Sequence, residues 1–111
     1  MPELALTPPG SATVAVVPAG DRVGVMVRGD LDFDAGRRLQ HQLHDILNRS
    51  AGGMDLDLSA VDFCDCSGLN LLLRLREQAA EHGKTLTVRA GSPMVERLLD
   101  LTGAREAFMY S

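Results

Sequence analysis

Val23, Val25 and Val27 alternate with Gly24, Met26 and Arg28. A period of two over such a run predicts a strand with one buried face. The β-prone residues 13–17 precede it, and the turn cluster Pro18-Ala19-Gly20-Asp21 lies between. The two runs therefore predict a hairpin. After Gly29-Asp30-Leu31-Asp32 the period changes: between Phe33 and Arg49 the apolar residues Leu39, Leu43, Ile46 and Leu47 recur at helical spacing. Asp32 is placed to cap this helix and Asp34 suits the positive end of its dipole, while Ala51-Gly52-Gly53 stops it.

Alternation returns at Met54, Leu56 and Leu58, set against Asp55, Asp57 and Ser59, and Val61 and Phe63 continue the apolar series. Residues 54–58 predict a strand that bends into Asp65. A second helix is predicted over residues 69–80, with Arg74, Arg76, Glu77 and Glu81 on its wet side, and His82 and Gly83 at its end. Residues 85–89 predict a further strand. Ser92-Pro93 opens a third helix, serine as N-cap and proline at the first position, with Met94, Val95, Leu98, Leu99 and Leu101 as its buried stripe and Gly103 as its stop. The tail around Phe108 and Tyr110 predicts a short strand or helix. Strand, helix and strand in succession over residues 54–89 imply a right-handed parallel crossover. The expected architecture is α/β: a small mixed sheet with helices packed on it.

The chain has 111 residues, enough for one domain with an ordinary core. Residues 1–11 carry Pro2, Pro8, Pro9 and Gly10 and read as a loose tail, leaving 12–111 as the domain. Hydrophobic residues make up 45% but aromatics only 4%, so the core must be built from Leu, Val, Ala and Met. The net charge of -4 and the scarcity of aromatic residues argue against a nucleic-acid surface. No apolar run approaches a membrane span and the N-terminus has no signal-peptide pattern, so a cytoplasmic protein with no direct membrane contact is expected. Cys64 and Cys66, one residue apart, are read as free thiols in a reducing compartment.

The chemistry concentrates where the third strand meets the second helix, at Asp65-Cys66-Ser67-Gly68. Ser67 has two readings. As a helix N-cap, its oxygen would accept a hydrogen bond from the backbone of Leu69 or Asn70, contributing about 1 kcal/mol. As a phosphate acceptor, it would carry about -1.5 to -2 charges against the free N–H groups of the helix end. A nucleophilic enzyme is less well supported, because the Gly-x-Ser-x-Gly elbow is absent and His41, His44 and His82 are expected on solvated helix surfaces. Cys64 and Cys66 with His41 and His44 number enough ligands for zinc, but Cys-x-Cys is not the usual spacing. Asp30, Asp32 and Asp65 would form an acidic cluster if their loops are adjacent, and a Mg²⁺ there would need substrate phosphate to complete it. No catalytic residue, cofactor or resident metal is expected.

Three blocks in order resemble a STAS domain, and more narrowly a bacterial anti-sigma factor antagonist. They are Gly29-Asp30-Leu31-Asp32; Leu56-Asp57-Leu58-Ser59-x-Val61-x-Phe63-x-Asp65-Cys66-Ser67-Gly68-Leu69; and Ser92-Pro93-x-Val95-x-Arg97-Leu98-Leu99-Asp100-Leu101-Thr102-Gly103. The Asp-x-Ser-Gly block is the specific one. The resemblance implies a STAS-like, four- to five-stranded mixed β-sheet flanked by three to four helices. It also implies that Ser67 is phosphorylated by an ATP-dependent, GHKL-type anti-sigma factor serine kinase, and that a PP2C-type phosphatase reverses the reaction. The unmodified protein would bind that kinase and release its sigma factor, as a monomer or weak dimer. Asp32 and Asp65 match acidic positions flanking the site, Cys66 stands where serine, threonine or alanine is commoner, and Gly68, Leu69 and Asn70 fall on the partner-binding face. Other members of the family bind ligands or act as scaffolds without a phosphorylation switch, and in those Ser67 would be a cap only.

Overall fold

The computed structural model describes residues 12–110, so the expected tail over residues 1–11 lies outside the described residues. The chain runs β1 (Thr13–Ala19), β2 (Arg22–Leu31), α1 (Phe33–Arg49), β3 (Gly53–Cys64), α2 (Cys66–Glu81), β4 (Thr85–Gly91), α3 (Pro93–Thr102), a 3-10 turn (Ala104–Ala107) and β5 (Met109–Tyr110). The strands form one mixed sheet in the order β1-β2-β3-β4-β5. Only the β1–β2 hairpin is antiparallel; β2, β3, β4 and β5 pair in parallel. The mixed sheet with helices packed on it, inferred from the sequence, is the architecture observed, and the ambiguous tail supplies both a helical turn and a short edge strand.

Parallel neighbours require a crossover, and α1 and α2 provide two of them in succession. Their apolar stripes, Ala35, Leu39, Leu43 and Leu47 on α1 and Leu71, Leu72, Leu75 and Ala79 on α2, are buried with Val23, Val25, Val27, Met54, Leu56, Leu58, Leu86 and Val88 of the strands. The core is therefore aliphatic, as the composition required. Val95 and Leu99 anchor α3 in the same cluster. Leu101 is 73% exposed and Met94 40% exposed, contrary to the expected stripe. Two residues on from Leu99 is about 200° around the helix, which turns Leu101 to solvent.

β3 is longer than its sequence pattern predicts. It does not stop and bend after Leu58 but continues to Cys64 through two register shifts against β2, one after Asp57 and one after Val61. Each shift adds one residue to β3 and reverses which face its side chains occupy. Leu56 and Leu58 point inward, then Val61, then Cys64, while Phe63 is turned out and 41% exposed. The first shift is marked by Asp57 Oδ1, which accepts from the backbone N–H (2.9 Å) and the hydroxyl (2.6 Å) of Ser59.

The opposite end of the sheet is tied by Arg22. Its guanidinium donates to Asp55 Oδ1 at 2.8 Å, to Thr85 Oγ1 at 2.6 Å and to the Met54 carbonyl at 3.1 Å, spanning β2, β3 and β4. Thr87 Oγ1 donates to the same carboxylate. These hydrogen bonds hold the Asp55 carboxyl below the usual carboxylate range, and Asp55 in turn raises Arg22. Gly53 starts β3 at φ 136° with its α-carbon pressed on the Thr85 carbonyl, a place that admits no side chain.

Candidate functional site

The β2–α1 and β3–α2 junctions lie side by side at the C-terminal edge of the parallel strands, because Leu31 pairs with Cys64 at the end of the ladder. That edge is where open α/β sheets place their ligands. Both junctions are built alike. Asp32 caps α1, its Oδ1 accepting from Ala35 N–H at 3.0 Å. Asp65 caps α2, its Oδ1 accepting from Ser67 N–H at 2.9 Å and Gly68 N–H at 3.1 Å.

Ser67 is therefore not the N-cap. The helix begins three residues earlier than its leucines suggest, Asp65 takes the capping role, and Ser67 occupies the second helical position. The consequence is chemical: among the described residues Ser67 Oγ has no hydrogen-bond partner, and the half-buried residue keeps its hydroxyl at the rim of the site. Cys66 and Asn70 beside it are exposed, whereas Gly68 and Leu69 are buried. A Cβ on Gly68 would run into the Leu31 carbonyl and come within 3.0 Å of Cys64 Sγ, so glycine here lets the first turn of α2 lie on the ends of β2 and β3. Gly68 and Leu69 thus set the position of Ser67 and Asn70 from beneath.

Cys64 is buried under this turn, its thiol donating to the Asp65 carbonyl at 3.6 Å, and burial pushes it up to about 12, with Asp65 adding to the effect. Both cysteines are free. The candidate metal sets do not converge: among the described residues no three of His, Cys, Asp and Glu come together in a ligating group. His41 and His82 are exposed as expected, but His44 is half-buried. Its Nε2 is buried between α1 and α2 with no hydrogen-bond partner among the described residues. Burial, then His41 and Arg74, hold its pKa below the ordinary histidine value.

The third sequence block lies elsewhere. β4 ends at Gly91, which pairs with Leu58, six residues before Cys64 in β3. Ser92 is buried there and caps α3, its Oγ accepting from Val95 N–H at 3.3 Å. Sequence reasoning also missed one wall of the site. Phe33, Gly36, Arg37 and Gln40 of α1 face Ser67, Asn70, Leu71 and Arg74 of α2 across a groove of about 120 Å³. Each set follows the i, i+3, i+4, i+7 spacing of one helix face. The signal for Arg74 lay in that spacing from Ser67; nothing local pointed to Arg37. Phe33 is 59% exposed at the mouth of the groove.

The family model described as "Mlab, STAS domain" matches residues 14–109. The chain belongs to the STAS domain family. Among solved structures, this STAS domain is similar to an anti-sigma factor antagonist from Mycobacterium paratuberculosis, at 27% identity and a TM-score of 0.81, covering 94% of this chain and 88% of that one. It is also similar to the unphosphorylated form of the anti-sigma factor antagonist SpoIIAA, at 22% identity and a TM-score of 0.69, covering 89% and 88% of the two chains. The phosphorylated form of the Bacillus cell fate determinant SpoIIAA aligns with the same TM-score of 0.69 at 15% identity, over 89% of this chain and 91% of that one. Among the described residues, no helix of this STAS domain is long and apolar enough to cross a membrane.

Proposed function

We propose that this protein is an anti-sigma factor antagonist gated by phosphorylation of Ser67. The observation that carries the reading is the division of labour at the start of α2: Asp65 caps the helix, and the Ser67 hydroxyl is left without a partner at the rim of the site. A serine needed as a cap would be a poor acceptor, since its lone pairs would be committed to backbone N–H groups. The likeness to an anti-sigma factor antagonist at 27% identity supports the same role.

In this reading the unmodified face binds an anti-sigma factor serine kinase of the GHKL type and releases its sigma factor. The Ser67 hydroxyl then attacks the γ-phosphorus of the ATP held by the kinase, its proton passes to a base on the kinase, and ADP departs. Phosphoserine brings about -1.5 to -2 charges to a surface that already carries Asp32 and Asp65. Carrying a complex from mostly bound to mostly free takes about 5.5 kcal/mol of discrimination, a magnitude that an unpaired dianion buried in an interface can supply. Exposed Phe33 and Phe63 flank the two junctions and suit the aromatic anchors of such an interface. A PP2C-type phosphatase restores the binding form.

Incubation with ATP and the cognate kinase is expected to add one phosphate, absent in Ser67→Ala. Ser67→Asp is expected to weaken kinase binding about 100-fold, or about 2.7 kcal/mol, while Ser67→Ala binds nearly as the parent does. Phosphate mapped to another residue, or equal binding by both folded variants, overturns the switch. A second reading, a ligand-binding STAS domain, is favoured by a separate groove of about 650 Å³ lined by Val16, Pro18, Arg22, Ile46 and Arg49. That volume falls among pockets that hold small molecules, roughly 300–1,000 Å³. Equal behaviour of the Ala and Asp variants would turn attention there.

A further inference from the structure

The groove beside Ser67 is walled by two cations. Both crossover helices return antiparallel to parallel strands, so α1 and α2 run in the same direction, and their levels can be matched. Gly36 marks the match: a Cβ there would lie 3.7 Å from the Ser67 carbonyl oxygen. Arg37, the next residue on α1, is thus level with the serine. Arg74 lies seven residues beyond Ser67, about 10.5 Å along the helix axis, and side chains on a helix tilt back toward its N-terminus.

Both arginines are exposed and line the groove. Neither is in an ion pair with a carboxylate among the described residues. The Arg37 guanidinium instead lies 5.9 Å from the centroid of the Phe33 ring, a contact that holds the group in place and leaves its charge unneutralised. Arg74 is close enough to His44 to contribute to lowering its pKa, which places its charge at the α1–α2 seam. The carboxylates sit on the other side, at the helix tips, with Asp65 Oδ1 committed to two backbone N–H groups. At about 120 Å³ the groove is well below the roughly 300 Å³ at which small-molecule pockets begin.

We propose that Arg37 and Arg74 form a built-in receptor for the phosphate of phosphorylated Ser67. The inference rests on Ser67 being the acceptor and adds what happens next. The phosphoryl group leaves the helix tip, where Asp65 repels it, and turns into the groove, where its oxygens accept hydrogen bonds from the two guanidinium groups. Phosphorylation then bridges α1 to α2 and fills the groove, so the partner loses a recess as well as meeting a charge. The phosphorylated chain is the more rigid of the two forms.

The test does not need the kinase. Phosphoserine is installed at position 67 of the full chain by nonsense suppression, and its second ionisation is followed by 31P NMR in the parent, in Arg37→Gln, in Arg74→Gln and in the double variant. Arg76→Gln, on the wet side of α2 and outside the groove, serves as the control. The titration midpoint is expected at lower pH in the parent than in the double variant by about half a pH unit or more, with each single variant between them and Arg76→Gln unchanged. The phosphoserine form is also expected to unfold at a higher temperature than the unmodified chain, an increase lost in the double variant. Equal midpoints in the parent and the double variant, both folded, overturn the receptor. An installed phosphate that titrates early in a chain whose Ser67 the cognate kinase leaves unmodified overturns the switch and leaves the receptor standing.

Discussion

Three neighbouring residues at the start of α2 have three distinct fates. Asp65 is consumed as a cap, Ser67 is left with an unpartnered hydroxyl, and Cys66 between them is solvent-exposed. Cys64, two residues earlier, is buried and resists ionisation up to about 12. The thiolate is the nucleophile, so reactivity follows exposure and ionisation together. Alkylation of the native protein with iodoacetamide near pH 8 is expected to modify Cys66 alone, with Cys64 reacting only after denaturation; peptide mapping by mass spectrometry reads the result. Much of this was legible locally: the Asp-x-Ser-Gly spacing marked the site. Which residue caps was not, because Asp65 and Ser67 are both good N-cap types and only the backbone path out of β3 selects between them.

The elements meet where α2 lies down on the ends of β2 and β3, and Gly68 permits that contact. Gly68→Ala would press a methyl group onto the Leu31 carbonyl and against Cys64 Sγ, and the carbonyl, being backbone, cannot rotate away. Overpacking of this kind typically costs about 1–3 kcal/mol. A lowered urea midpoint with an unchanged slope is the expected outcome, and under the proposed function kinase binding weakens along with stability because Ser67 rides on the same turn. The reading of β3 teaches a related lesson. Its alternation is interpretable up to Leu58, but two inserted residues flip the pattern twice, so Phe63 continues the apolar series in sequence and yet faces solvent. A bulge leaves no periodic signal of its own; only pairing with β2 reveals it.

At the scale of the whole molecule, half-buried His44 and buried Cys64 set the expected dependence of stability on pH. His44 has a folded pKa below its unfolded value, so the unfolded chain binds more protons as pH falls through about 6.5, and stability is lost in that direction. Cys64 has a folded pKa raised to about 12, so the unfolded chain loses its proton first as pH rises past about 9, and stability is lost in that direction too until about 12. Urea midpoints measured near pH 5, 7 and 10 are expected to peak at the middle value. His44→Gln should flatten the acid limb and Cys64→Ala the alkaline limb, each leaving the other limb in place.

The fold class, the order of elements, the aliphatic core and the position of Ser67 at the start of a helix were all contained in the sequence. They depend on short-range periodicity, on capping residues and on a motif whose parts lie within eight residues of one another. Tertiary structure alone decided the rest: that Asp65 frees the Ser67 hydroxyl, that the His44 Nε2 is buried, that the Ser92 block joins β3 at Leu58, and that Arg37 faces Ser67. Thirty residues separate Arg37 from Ser67 in the chain. Two parallel crossovers bring them level, and no local pattern encodes the register of one helix against another.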